Sequence, residues 1–353
     1  MTPAIDGKKM NLQKIANDLL SRLSTRQKNV LTKRFGLKNG QRKTLEAIGD
    51  EYGITRERVR QIENDAKAAI LKSEQVKALE PFFQIFANHF NAYGGARAEY
   101  VLFKEDVKNF SPPNVDTGIA AAHLHFLLSL GAQFARHSET DAFHSAWAVK
   151  NARVEDAKAA LQQLIRRFEE KKELVKKETL LKWLSELSGG QDHKILESYL
   201  AMVKNVTANA YGEYGLTHWP EVRTRGVRDK AYLALKKVGQ PMHFREIVAE
   251  INKAFSPKKP VHTQTVHNEL IKDDKFVLVG RGTYALADWG YQPGRVSEVL
   301  ARVLKNSNQP MTREEIVAAV CKERNVKPNT VLLNLQNKKY FAKMEDGRYI
   351  YRS

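Results

Sequence analysis

The sequence predicts a mostly α protein: a helix-turn-helix domain followed by tandem winged-helix (α+β) units. Three observations carry this. Up to Lys72 the apolar residues recur at helical spacing, with no alternating strand pattern. Further on, Gln240-Pro-Met-His-Phe-Arg-Glu-Ile-Val-Ala returns 69 residues later as Gln309-Pro-Met-Thr-Arg-Glu-Glu-Ile-Val-Ala. Trp147, Trp219 and Trp289, spaced by 72 and 70 residues, each end a stretch that reads as a β-hairpin.

The elements follow in order. Ile15, Leu19, Leu20 and Leu23 sit on one face of a first helix. Ser24-Thr25 offers a cap for a second, which carries Val30, Leu31 and Phe35 and stops at Gly36. Lys38 to Lys43 is basic and polar, with Asn39-Gly40 as a turn. Thr44 caps a short third helix with Leu45, Ile48 and Tyr52 facing inward. Gly53 ends it, because a tight turn between helices favours a residue that accepts positive φ. Thr55 then caps a long helix to about Leu71.

In the two clearest repeats, a helix (Arg245 to Ala254; Arg313 to Lys322) and a polar loop precede a second helix (about 261–272 and 327–336). Two strands close each unit, Lys275 to Trp289 and Lys339 to Ser353, with turns at Gly280-Arg-Gly and Glu345-Asp-Gly. Hairpins at Phe134 to Trp147 and Val206 to Trp219 extend the pattern upstream. The division this implies is 1–75 for the helix-turn-helix domain, then wing-bearing units at 76–150, 151–222, 223–292 and 293–353.

Lys plus Arg number 58 against 40 Asp plus Glu, a net charge of +18 over 353 residues, with pI near 9.7. That balance favours polyanionic partners. The 42% apolar content is enough for packed cores, which excludes a disordered basic tail. A single cysteine, Cys321, excludes a disulfide framework or a Cys-based zinc or iron–sulfur site within one chain, and it fits a reducing, cytoplasmic setting. The N-terminal stretch lacks the apolar core of a secretory signal. Gly118 to Phe134 is the most apolar run, yet it carries His123 and His125 and falls short of the roughly 20 residues that cross a bilayer.

The sharpest pattern is Thr44-Leu-Glu-Ala-Ile-Gly-Asp-Glu-Tyr-Gly-Ile-Thr-Arg-Glu-Arg-Val-Arg-Gln-Ile-Glu63. A helix starting at Thr55 puts Val59, Ile62, Ala66 and Ile70 on a buried stripe, and Arg56, Glu57, Arg60, Gln61, Asn64 and Lys67 on the outward side. The second helix of a helix-turn-helix reads base edges from its first turns. Arg suits guanine O6 and N7, Gln suits adenine N6 and N7, and Glu accepts from cytosine N4. Arg56, Glu57 and Gln61 supply all three within six residues. A solvated face of mixed charge is the bland alternative.

These residues, with Leu23-Ser-Thr-Arg-Gln-Lys-Asn-Val-Leu-Thr-Lys-Arg-Phe-Gly-Leu37 before them, resemble region 4 of primary-type bacterial sigma factors over roughly residues 15–72. The resemblance implies that Arg56, Glu57 and Gln61 read a −35 promoter element in double-stranded DNA. It implies phosphate contacts for Thr55, Arg60, Lys67 and Lys43, and docking on the β flap of the RNA polymerase core. Val30, Leu31 and Phe35 would line that docking cleft, or they are plain core. Ala231 to Trp289 resembles the HARE-type winged helix-turn-helix found in the polymerase delta subunit, restriction enzymes and chromatin proteins, with 293–353 a diverged copy. Lys258, Lys259, His262 and Gln264 open its recognition helix and Arg281 marks a wing tip, all positions suited to phosphate.

Nothing in the sequence points to catalysis. His123, His125, His137 and His144 have no acidic or Cys partner at ligand spacing, and Gly94-Gly95-Ala-Arg lacks the Lys-Ser/Thr of a phosphate loop. The expectation is a non-enzymatic, cytoplasmic, nucleoid-associated DNA-binding protein of the transcription apparatus, with no cofactor, metal, membrane or small-molecule substrate. The alternatives are an adaptor or anti-initiation protein that occupies the polymerase flap without reading DNA, and a module of a restriction or repair system.

The resemblance covers a −35 reader, and no aromatic-rich strand-melting motif accompanies it in these residues. Capturing flipped bases costs a few kcal/mol that some protein group must offset. A purified reaction with core polymerase, a linear template and this chain alone should therefore give no specific run-off product. A specific product would mean that a strand-capturing region lies within 76–222.

Overall fold

The structure, a computed structural model, describes residues 10–256, 259–291, 294–307, 309–323 and 326–352. The protein is mostly helical and falls into two compact units: the chain to Thr207 with Tyr214–Thr217, and Ala208–Glu213 with the chain from His218 onward.

The first unit opens with α1 (Leu12–Leu20), α2 (Thr25–Phe35), α3 (Leu45–Tyr52) and α4 (Arg56–Lys72). Local chemistry sets their ends. Ser24 Oγ accepts from Gln27 N while Gln27 Oε1 accepts from Ser24 N, a reciprocal box that satisfies two otherwise unpaired amides of α2. Gly36 ends α2 at φ +71°, where a Cβ would lie 2.6 Å from the Gln41 carbonyl carbon. Thr44 and Thr55 cap α3 and α4 by accepting from Ala47 N and Arg58 N. Their turn is tight: Gly53 takes φ +61°, and a Cβ on Gly49 would meet the Ile54 carbonyl oxygen at 2.6 Å.

The stripe Val59, Ile62, Ala66, Ile70 on α4 is buried as its spacing requires, but it serves two clusters. Val59 and Ile62 pack with Val30 and Ile48 inside the helix-turn-helix. Ala66 and Ile70 join a larger core that runs from Leu12 through Phe35 to Trp147, across residue 75 without a break. That core is built on α5 (Glu80–Asn91), β1 (Ala96–Ala98), a helical stretch made of α6 (Glu99–Val101), a π turn (Leu102–Asp106) and α7 (Val107–Phe110), then α8 (Thr117–Leu128), β2 (Phe134–His137) and β3 (Ala146–Val149). The three strands pair in the order β1-β3-β2. The π turn carries Asp106 inside, where it accepts two hydrogen bonds from Arg97 (2.7 and 2.9 Å) and one from His89 Nε2 (3.0 Å). Burial alone would push this carboxyl up; the Arg97 and His89 bonds outweigh it and hold the pKa below the ordinary range.

The remainder of the first unit holds α9 (Val154–Lys171), α10 (Lys177–Leu187), α11 (His193–Leu200) and, but for Ala208 at its end, the strand pair β4 (Val206–Ala208) and β5 (Tyr214–Leu216). The second unit holds α12 (Val227–Val238), β6 (Met242–His243), α13 (Phe244–Phe255), α14 (Thr263–Lys272), β7 (Phe276–Gly280) and β8 (Thr283–Leu286), followed by α15 (Val296–Asn306), α16 (Arg313–Glu323), α17 (Pro328–Leu335), β9 (Phe341–Lys343) and β10 (Tyr349–Tyr351). Residues 231–286 and 299–349 each enclose a separate apolar cluster.

One element order thus recurs along the chain: a helix, a short extended segment, two helices or helical stretches, and a hairpin. In every copy the short segment pairs antiparallel with the second strand of the hairpin, through Ala96–Ala98 with Ala146–Ala148, Val175 with Tyr214, Met242 with Tyr284 and Met311 with Tyr349.

His125 on α8 lies among Phe35, Phe103 and Trp147, at ring separations of 5.2, 5.7 and 5.6 Å, and its Nδ1 is buried without a hydrogen-bond partner. Burial, then the fields of Arg42, Arg136, Lys67 and Arg34, lower its pKa to about 3. The imidazole is therefore neutral when folded but takes a proton near pH 6.5 when unfolded. The unfolded chain binds more protons between these values, so His125 removes about 1.4 kcal/mol of stability per pH unit as pH falls below 6.5. Native-state hydrogen exchange of α8 amides between pH 7 and pH 5, corrected for intrinsic rates, should show this loss. Asp106 stays ionised across that window. His125→Phe, which keeps an aromatic ring in place, should make the slope shallower by about that amount; an unchanged slope would show that His125 is not held neutral.

Candidate nucleic-acid interface

The helix-turn-helix presents the first turns of α4 to solvent. Arg56, Glu57, Arg58, Arg60 and Gln61 are all exposed, because the stripe facing α2 and α3 is taken by Val59 and Ile62. The exposed groups are organised among themselves. Arg60 grips both oxygens of Glu57, at 2.9 and 2.6 Å. That hydrogen bonding lowers the Glu57 pKa and raises that of Arg60, so both stay charged. Arg58 donates to Gln61 Oε1 at 3.0 Å, a bond that uses the oxygen of this exposed side chain and not its amino group. The field of Arg56 also favours the Glu57 carboxylate. This face therefore offers guanidinium and amide donors, with its one carboxylate engaged by a neighbour.

The residues expected at phosphates are placed less uniformly. Thr55 spends its oxygen as the α4 cap, accepting from Arg58 N at 3.2 Å. Lys43 pairs with Glu51, which also holds Lys33 at 2.5 Å. Lys67 pairs with Glu63 at 2.7 Å and lies 4.9 Å over the ring of Phe35, a half-buried position near the far end of α4. Val30, Leu31 and Phe35 are enclosed, at 0, 0 and 4% exposure. Val30 packs under α3 and α4, and Phe35 meets Phe126 edge-on at 5.2 Å, so these side chains present no surface.

In the second unit, Lys259, His262, Gln264 and Arg281 are exposed. His262 is the residue before α14, Gln264 donates to Asn268 Oδ1 at 2.8 Å within that helix, and Arg281 stands at the β7–β8 turn beside Gly282, whose φ is +68°. Lys258 lies outside the described residues. Of the histidines, His123 is buried and donates to the Ile119 carbonyl at 2.7 Å, while His125 faces the aromatic core. Among the described residues no group of His, Cys, Asp and Glu could hold a metal ion, and no helix is long and apolar enough to cross a membrane.

Sequence reasoning missed Arg58, Gly49 and basic residues outside α4, Arg34 on α2 and Arg136 on β2. Arg58 is visible in retrospect from its i,i+3 spacing to Gln61. Arg34 bonds Glu63 (3.2 Å) and the Lys43 carbonyl (3.2 Å), and Arg136 on β2 bonds Glu99 (2.5 Å). Such long-range pairs leave no local trace in a sequence.

Comparison with known proteins fits this geometry to a family over part of the chain. Residues 19–70 match the family described as Sigma-70, region 4. Over 84 residues the chain is 39% identical to the RNA polymerase sigma factor SigA of a Bacillus species, covering 24% of this chain and 22% of that protein. Over 73 residues it is 41% identical to the SigA proteins of Listeria monocytogenes and Listeria innocua, covering 21% of this chain and 20% of each. The chain thus spans about a fifth of the length of these curated relatives. Residues 19–70 form a sigma-70 region 4 domain.

Proposed function

We propose that this protein is a non-enzymatic, sequence-specific DNA-binding transcription factor that reads a −35-type promoter element with α4 and acts with RNA polymerase in initiation, in the cytoplasm on the nucleoid. The observation that carries this reading is the exposed first turn of α4. It is set by Gly49, Gly53 and the Thr55 cap, and with the turn after it exposes Arg56 and Gln61, both bearing N–H donors, in a region 4 domain. Guanine and adenine offer acceptors in the major groove that match those donors. RNA polymerase enters through the relatives, which are named as its sigma factors. The core encloses Val30, Leu31 and Phe35, so contact with the polymerase β flap at these side chains requires that core to open.

The repeated helix–strand–helix–helix–hairpin units support tandem winged helices as auxiliary modules, HARE-type in 223–292 and diverged in 293–353. Lys259, His262, Gln264 and Arg281 are exposed where such a module meets phosphate. Several weak contacts on one chain raise avidity through effective concentration.

One observation favours the adaptor reading instead: Glu57 and Gln61 are already paired, with Arg60 and Arg58. Base reading by Glu57 requires Arg60 to exchange that carboxylate for a phosphate. Selection from randomised duplexes separates the two. Arg56→Ala or Gln61→Ala should cost about 1–3 kcal/mol and relax preference at one base pair each, while Arg60→Ala should weaken all sequences evenly. If Gln61→Ala leaves both affinity and preferred site unchanged, the adaptor reading takes over.

A further inference from the structure

The basic surface does not stop at α4. Arg56, Arg60, Glu63 and Lys67 follow one another at i, i+4, i+7 and i+11, a single stripe about 16 Å long. At its far end Glu63 is shared by Lys67 (2.7 Å) and Arg34 (3.2 Å). Arg34 also reaches the carbonyl of Lys43, the neighbour of Arg42. Arg42 in turn shares Glu99 with Arg136 on β2, at 3.9 and 2.5 Å. Salt bridges therefore join Lys67, Glu63 and Arg34 in one group and Arg42, Glu99 and Arg136 in another. The two groups adjoin where Arg34 bonds the backbone carbonyl of Lys43, the residue after Arg42. Together they reach from the recognition helix, over the end of α2, to a strand more than sixty residues beyond the region 4 domain.

Two features fit these groups to an anion. Four bases share two carboxylates, so two positive charges are uncompensated. The carboxylates also lie beneath the bases: the side chains of Glu63 and Glu99 are 11 and 13% exposed, against 36, 37 and 40% for Arg34, Arg42 and Arg136. Arg136 is held at Nε alone and keeps both terminal nitrogens for a second acid. Arg34, held at Nε by Glu63 and at Nη1 by the Lys43 carbonyl, keeps Nη2, and Arg42 approaches Glu99 only through Nη1 at 3.9 Å. Phosphate matches such guanidinium donors. The next acid on this hairpin, Glu139, is engaged by Lys204 at 2.5 Å.

We infer that Arg34, Arg42 and Arg136 form a preorganised track for the phosphate backbone of duplex DNA flanking the sequence read by α4, with Arg136 the contact farthest from the domain. The inference rests on the DNA-binding reading above and extends its footprint onto β2. An acidic protein surface in the same place would leave DNA affinity independent of Arg136.

Affinity of the full chain for a duplex carrying its selected site and long flanks, measured against salt, tests it. Each phosphate contact contributes about 0.9 to the slope of log K against log salt. Arg136→Gln should be shallower by about that amount and bind several-fold more weakly at low salt; Arg136→Lys should keep the slope of the unaltered chain. Glu99→Gln should bind more tightly, because it removes the negative charge both arginines share while its amide oxygen can still accept from Arg136 and hold it in place, whereas a merely structural bridge predicts weaker or unchanged binding. If Arg136→Gln fails to fold, Glu99→Gln decides. An unchanged slope in Arg136→Gln beside a shallower one in Arg60→Ala overturns the extension and leaves the DNA reading standing. No duplex binding by the unaltered chain overturns both.

Discussion

Phe35 joins the helix-turn-helix to the body that supports it. It closes α2 and meets Phe126 and His125 of α8 edge-on, both at 5.2 Å, with the Lys67 ammonium 4.9 Å over its ring. Fully burying an aromatic side chain of this size contributes about 1.5–3 kcal/mol, and edge-to-face pairs add about 0.5–1.5 kcal/mol beyond that. The contact ties the helix-turn-helix to residues 76–149 through one continuous core. A free-standing helix-turn-helix has little core of its own: here it is Val30, Ile48, Val59 and Ile62. The α4 stripe resolves this by spending its first half on that small cluster and its second half on the large one.

The cost of this arrangement falls on polar groups. His125 is kept neutral among aromatic rings, and neither its Nδ1 nor Trp147 Nε1 finds a partner. Asp106 is kept ionised in the same core by Arg97 and His89. Each buried group is held in the form its surroundings allow: the imidazole discharged because burial disfavours its charge and nearby cations add to that, the carboxylate charged because two donors converge on it. The same cations that bear on His125 also reach the surface: the side chains of Arg34, Arg42, Lys67 and Arg136 are 36, 37, 22 and 40% exposed.

What could be read from the sequence was local. Ser24, Thr44 and Thr55 cap helices and Gly36 and Gly53 stop them, because capping and positive φ are decided within a few residues. The exposed and buried sides of α4 followed from its period except at Lys67, which is half-buried over Phe35. The four hairpins lie where the tryptophan spacing and the final Glu345-Asp-Gly turn put them, although Trp147 sits inside β3 rather than at its end. What could not be read was set by distant partners. The element order of residues 76–149 is masked in sequence because a π turn breaks its second helix to bring Asp106 to Arg97 and His89. Val30, Leu31 and Phe35 look equally like a docking cleft or core until α8 is seen against Phe35. The pairing of Arg42 and Arg136 through Glu99 joins residues 94 apart and has no sequence signature. Gly49 reads as an ordinary helical residue, yet the approach of the Ile54 carbonyl excludes a side chain there.

The central claim is that the first turns of α4 enter the major groove of a duplex. Methylation of guanine N7 places a methyl group in that groove and removes the acceptor that an arginine needs. Methylation interference on a selected duplex bound by the full chain therefore probes the claim at the atoms concerned. The account predicts a short cluster of guanines at which N7 methylation abolishes binding. Binding insensitive to N7 methylation throughout the site would contradict it, and would place α4 outside the groove.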